Sequence, residues 1–262
     1  MSLDLLREGR VVGALGRRGL SVQFRKAQLL MPTFVLPLML LAVISSGTSA
    51  ARDLPQFPDV TSYITFIVPG TIIQGALLAG LTTGTALASD IEFGFFDRLL
   101  SAPVHRTSII LGRLFGTVGL AMLQASFFLL VALAFGARYP GGVDAALITV
   151  VLAAFTAVGI GGIASAIAIR TGSLSLMQSI FPFVFVLLFT APAFFPRELL
   201  TPVLRDVAAY NPLTYVVEAV RGLLAGDAGL GDPWIGLASA VGLAVTMTAL
   251  ATFALKARLR AA

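Results

Sequence analysis

The strongest constraint on this chain is where charge is missing. Its 13 acidic and 18 Lys or Arg residues leave six long stretches with none, at 27–51, 60–89, 114–137, 145–169, 171–196 and 233–255. A hydrocarbon core of roughly 30 Å needs about 20 helical residues to cross it. Lipid offers no partner to an open backbone group, and no stretch alternates polar with apolar residues, so the runs read as helices and not as barrel strands. The expected fold class is an all-α membrane protein: one domain over 1–262 with six transmembrane helices, at about 28–50, 61–88, 108–136, 145–169, 174–196 and 233–255.

Six crossings put both termini on one side, and Lys and Arg say which. Thirteen of the 18 fall in the terminal segments and in the loops near 90–113 and 170, and five (Arg52, Arg138, Arg197, Arg205, Arg221) fall opposite. Both termini are therefore expected in the cytoplasm. The net charge of +5 then follows from topology and is not a nucleic-acid signal. With no cysteine, disulfides, thiolate metal sites and thiol catalysis are excluded. Residues 29–44 followed by Ser46-Gly-Thr-Ser-Ala50 also have the outline of a signal peptide. The 26 residues ahead of them are long for its basic region, so a first helix interrupted by Pro32 and Pro37 is the expected reading.

Residues 1–26 mix Arg7, Arg10, Arg17, Arg18, Arg25 and Lys26 with leucines and valines. This is either an amphipathic helix on the inner leaflet, attracted to anionic lipid, or a solvated basic tail, which Gly13, Gly16 and Gly19 would favour. The second run carries Pro69-Gly70, a kink signal, then Gly75-xxx-Ala79 and Gly80-xxx-Gly84, spacings that let helix backbones approach closely. Thr71 and Gln74 in that run serve either packing or a polar stripe facing a cavity. The fourth run repeats the small-residue pattern at Gly159-Ile-Gly-Gly162, and the fifth is aromatic, with Phe181, Phe183, Phe185 and Phe189, and broken by Pro182, Pro192 and Pro196. Between the fifth and sixth runs, Val207–Val217 is apolar but too short to span, hence interfacial or re-entrant. There Asn211-Pro212 signals a helix start, and Glu218 and Arg221 fall three apart, in position to pair.

The segment Ser89-Asp-Ile-Glu-Phe-Gly-Phe-Phe-Asp-Arg-Leu-Leu-Ser-Ala-Pro-Val-His-Arg106 holds three acids and the only histidine. Ser89 and Glu92 have capping-box spacing, and Pro103 disfavours helix at Ala102, so a short helix over 89–101 is expected. Asp90, Gly94, Asp97 and Ser101 would line one side, with Ile91, Phe95, Phe96, Leu99 and Leu100 on the other. Glu92 sits within the apolar arc.

The order Glu92-x-Gly94, Arg98-Leu-Leu100, Pro103-Val-x-Arg106 and Ile110-Leu-Gly-Arg113 resembles the cytoplasmic loop of ABC-2 type transporter permeases. Asn211-Pro-Leu-Thr-Tyr-Val-Val-Glu-Ala-Val-Arg221-Gly is similar to the segment before that family's last span, particularly in its daunorubicin-resistance branch. One departure is that Phe93 and Phe95 stand where the family often has a further charge. The resemblance implies the permease subunit of an ATP-driven exporter, not catalytic itself, in a bacterial cell membrane. Its partners would be a separate nucleotide-binding ATPase, a second permease chain and membrane lipids. ATP and Mg would be bound by the ATPase. This chain has no P-loop, for its two lysines, Lys26 and Lys256, follow Arg25 and Leu255.

Carried over residue by residue, the resemblance assigns Glu92, Gly94, Asp97, Arg98, Pro103 and Arg106 to coupling with the ATPase. By family analogy the second and fifth spans line the path, so Thr71, Gln74, Gln178, Phe181, Phe185 and Phe189 are expected along it, the aromatic fifth span suiting a hydrophobic or amphipathic cargo. Asn211, Pro212, Tyr215, Glu218 and Arg221 are expected at an outer gate. No metal or catalytic residue is expected. The rivals are export of a lipid-linked glycan or lipid, a membrane scaffold, and an intramembrane enzyme. The last is disfavoured because the sole histidine, His105, lies in a loop and no acid sits centrally in any run.

Overall fold

The computed structural model describes residues 2–25, 27–47, 63–101 and 105–261. Among them the chain is helical and forms no strand: α1 (Ser2–Arg25), α2 (Ala27–Gly47), α3 (Tyr63–Glu92), α4 (Phe95–Leu100), α5 (Arg106–Ala134), α6 (Gly142–Thr171), α7 (Leu174–Phe189), α8 (Pro202–Tyr210), α9 (Pro212–Ala225) and α10 (Pro233–Ala261), with single 3₁₀ turns at Arg197–Leu199 and Ala228–Leu230. Four helices, α3, α5, α6 and α10, are long and apolar enough to cross a bilayer, and the chain is a multi-pass membrane protein. α2 and α7 are apolar but shorter.

α3 is the axis of the bundle. Its most apolar 18-residue window is 94% buried, against 22% for α10. Small residues allow this: a Cβ on Gly80 would lie 2.7 Å from the Ala157 carbonyl oxygen of α6, so only glycine permits the α3–α6 crossing. The glycine cluster of the fourth run serves packing on two sides. Gly159 and Gly162 face Leu243 and Met247 of α10, while Gly161 faces Gly80.

Prolines inside helices remove a backbone donor and leave the carbonyl four residues earlier unbonded. For Pro37 that carbonyl is Thr33's, and Gln124 of α5 takes its place: Nε2 donates to the Thr33 hydroxyl at 2.8 Å and to its carbonyl at 3.4 Å. The fifth run departs from expectation. Helix α7 stops at Phe189 after 16 residues, about 24 Å of rise, instead of continuing to 196. Pro192 disfavours helix at Ala191 and cannot donate, so the chain turns back through Ala191, Pro192, Ala193 and Phe194, all buried.

The amino-terminal segment is helical, and its glycines act in packing. α1 runs along the first turns of α5, with Gly16 against Phe115 and the Gly112 carbonyl, and Leu15 over Gly112. The Ser108 hydroxyl donates to the Glu8 carboxylate, fixing the start of α1 beside the start of α5. The inner-leaflet helix expected from composition is thus docked lengthwise on protein.

Candidate functional site

At the α4 end of the bundle, helix α3 does not break at Ser89. Its hydrogen-bond ladder continues through that residue, and Phe93 N–H still donates to the Ser89 carbonyl at 3.0 Å. The break falls at Gly94, whose φ of 71° and ψ of 10° are left-handed values that glycine adopts without a Cβ clash. The expected 89–101 helix is therefore only α4, six residues long, and the Ser89–Glu92 capping box does not form. Ser89 has no helix start to cap, because Ala86, Leu87 and Ala88 directly ahead of it are strong helix formers and carry α3 onward.

Glu92 caps a different helix. Its Oε2 accepts from the backbone N–H of Leu174, 82 residues away, at 3.0 Å, beside the Ser173 hydroxyl, which accepts from Leu176 N–H at 3.3 Å. Two side chains thus serve the open N–H groups at the start of α7, where a negative charge also meets the positive end of the helix dipole. Three further contacts fix the loop: Phe96 is 0% exposed, Arg113 of α5 pairs with Asp90 of α3, and the Arg18 guanidinium of α1 lies 3.9 Å over the Phe95 ring. Phe93, Asp97, Arg98, His105 and Arg106 face outward. Of the expected coupling residues, Pro103 lies outside the described residues.

Above this loop lies a cavity of about 680 Å³ lined by residues of α1, α2, α3, α4, α5 and α7. Gln178 and Phe181 line it, but the other expected path residues do not. Thr71 and Gln74 are 0% and 1% exposed inside the bundle, and the Thr71 hydroxyl and both amide atoms of Gln74 have no hydrogen-bond partner among the described residues. Phe181 begins a ladder of rings along α7, with centroids 5.6 Å from Phe181 to Phe185, 6.4 Å from Phe185 to Phe189 and 5.7 Å from Phe189 to Phe194 in the turn beyond.

At the opposite end, Asn211 caps α9 as its sequence signal requires, its Oδ1 accepting from Leu213 N–H at 2.9 Å with Pro212 in the first turn. Its Nδ2 donates to the Leu187 carbonyl at 2.7 Å and to the Thr190 hydroxyl at 3.0 Å, serving the broken end of α7. The Tyr215 hydroxyl donates to the Ala209 carbonyl at 2.8 Å, tying α9 to α8.

Arg221 is 4% exposed, and the expected pairing with Glu218 is not what holds it. Its Nη2 donates to the carbonyls of Pro192 at 2.7 Å and Ala193 at 3.3 Å, its Nε donates to the Phe66 carbonyl at 3.4 Å, and its guanidinium stacks 3.9 Å from the Phe66 ring. A turn forced by Pro192 leaves carbonyls without helical donors, and they attract the guanidinium more directly than a half-exposed carboxylate does. Burial pulls Arg221 down to about 10, with Glu218 opposing, so it stays protonated at neutral pH. Burial also pushes the Glu218 carboxyl above the usual range, opposed by Arg197 and Arg221. Sequence reasoning missed Arg18, Asp90 with Arg113, and Ser173. Only Ser173, a serine opening a helix, carried a local signal.

A bundle of long apolar helices around a cavity, with a pinned polar loop at one end, is the architecture of a multi-pass membrane protein. A sequence model of the ABC-2 type transporter family matches residues 10–225, and the chain belongs to that family. It is thereby a permease subunit of an ABC transporter. Similar proteins include one named putative transport permease ycf38 from Porphyra purpurea, 29% identical over 84% of this chain and 75% of its own length. Its counterpart in Pyropia yezoensis is 31% identical over 76% and 68%. The daunorubicin resistance ABC transporter permease protein DrrB1 of Streptomyces coeruleorubidus is 27% identical over 74% and 69%. Relatives from such different sources leave the expected bacterial origin without support from family membership alone.

Proposed function

We propose that this chain is the membrane half of an ATP-driven exporter of hydrophobic or amphipathic compounds. Two copies, or this chain and a close relative, pair around a conduit, with α2, α3, α5, α6, α7 and α10 as six spans and both termini in the cytoplasm. A separate ATPase, holding ATP and Mg, docks on the outward face of α4 through Asp97 and Arg98. The observation that carries the reading is the Glu92–Leu174 contact: the last residue of α3, ahead of the Gly94 break that opens α4, caps the start of α7, so a push on this loop would reach α7 through one carboxylate. ATP then biases one of two packings of α7 against α3. The daunorubicin and doxorubicin resistance permeases among the relatives support the size and amphipathic character of such a cargo, not the sign of its charge. The cavity of about 680 Å³ suits one such molecule and not a polymer.

The test is co-expression with the cognate ATPase. The wild-type chain retains the ATPase through purification, and Asp97→Lys with Arg98→Glu releases it while the permease stays monodisperse. Retention by the double variant would remove α4 as the docking face.

A further inference from the structure

The cavity is charged at its α4 end and apolar in its depth. Arg18, Asp90 and Arg113 stand at the charged end. Asp90 and Arg113 neutralise each other as a pair, which leaves Arg18 as the unopposed charge. Its guanidinium contacts Phe95 through its flat face, and no acceptor among the described residues takes its N–H groups. Gln23, also on the wall, donates from Nε2 to the Thr82 hydroxyl at 3.3 Å, while its Oε1 is buried without a partner among the described residues. Deeper in, Leu81, Met177 and Phe181 supply an apolar wall, and the cavity lies open where Pro32, Gln178 and Pro182 are exposed. A net positive rim and an apolar depth together describe a complement.

We propose that this cavity binds an amphipath with an anionic head, the head on Arg18 and the tail against Leu81, Met177 and Phe181. Its meaning as the point where cargo enters rests on the export reading above; the binding itself does not. The head supplies acceptors to the free guanidinium N–H groups. The tail replaces contacts with lipid or water along the leucine and phenylalanine wall.

The test is photolabelling of the full chain in phosphatidylcholine nanodiscs with an alkyl phosphate carrying a diazirine at its tail. Labels are expected at Leu81, Met177 and Phe181. Arg18→Gln should lower their yield about tenfold, the scale of one charge-assisted hydrogen bond. Thr85→Trp, which fills the cavity and keeps Arg18, should abolish them. Labelling of Phe253, exposed on α10, should match wild type in both variants as the measure of probe supply, and unchanged melting temperatures should show that both variants are folded. The corresponding alkylammonium probe should label the cavity roughly tenfold less or weaker still, the same single-interaction scale. Suppression of the phosphate label by phosphatidylglycerol assigns the site to bilayer lipid, and lack of suppression assigns it to a free amphipath. Equal labelling by the cationic probe, an unchanged yield in Arg18→Gln, or labels confined to positions such as Phe253 would overturn the proposal. The experiment needs neither ATP nor an ATPase, so export without labelling sinks the site alone, and labelling without export sinks the export reading alone.

Discussion

Replacing Arg221 with Met keeps much of the side chain's bulk and removes its charge and every donor. The 2.7 Å bond to the Pro192 carbonyl is charge-assisted, worth about 1.5–3 kcal/mol. The stack on Phe66 adds about 1 kcal/mol. The carbonyls of Pro192 and Ala193 then remain in a buried turn without donors, so the expected loss is about 3–5 kcal/mol in total. For a chain of this size that corresponds to a melting temperature lower by roughly 10 °C. Arg221→Lys, with a point charge and no planar fork, should fall between the two. The chain has no cysteine, so a single Ala193→Cys reporter has no background. Its maleimide labelling should be slow while Arg221 is present and fast once Arg221→Met lets the turn open. A melting temperature for Arg221→Met within about 2 °C of wild type, well short of the loss expected at this size, would refute the reasoning. So would an equal loss in Glu218→Gln, which would restore the carboxylate as the partner that matters.

Three further outcomes follow from the geometry. Glu218 binds its proton more readily folded than unfolded, so its contribution to stability is present at low pH and fades as pH rises from the ordinary Glu value through the raised one; melting curves of Glu218→Gln should lose that slope, and an unchanged slope contradicts the assignment. Gly16→Leu cannot fit 2.6 Å from Phe115, so α1 should lift from α5 and trypsin should cut after Arg17 and Arg18 much faster than in wild type; equal cleavage would mean that α1 is not docked. Gly94→Ala meets no neighbour within 4 Å but must hold φ at 71°, a conformational cost of about 1–2 kcal/mol that should speed hydrogen exchange over α4, with Gly94→Asn milder.

What the sequence made legible was whatever depends on neighbours along the chain. Charge-free runs located α3, α5, α6 and α10 because hydropathy over a span-length window, about 20 residues, is a local property, and Asn211-Pro212 marked the start of α9 for the same reason. The fifth run was drawn too long because an apolar stretch keeps its hydropathy through Pro192 while the helix does not. Ser89 and Glu92 had the spacing of a capping box, yet that spacing says nothing of whether α3 has already ended. Glu92's partner lies 82 residues away and Arg221's partners 28, 29 and 155 away. No periodicity encodes such distances; they are set by where Gly94 and Pro192 break their helices and by how closely α3 packs.

The central claim is that Glu92, at the end of α3 beside the α4 loop, links that loop to α7. It is tested most directly by ATP-dependent export in proteoliposomes holding this chain and its cognate ATPase, comparing wild type, Glu92→Ala and Glu92→Gln. The account predicts that Glu92→Ala still binds the ATPase and supports ATP hydrolysis while export falls roughly tenfold or more, the scale of one charge-assisted cap, and that Glu92→Gln, which keeps an oxygen acceptor for Leu174 N–H, recovers part of it. Export by Glu92→Ala at the wild-type rate would contradict it.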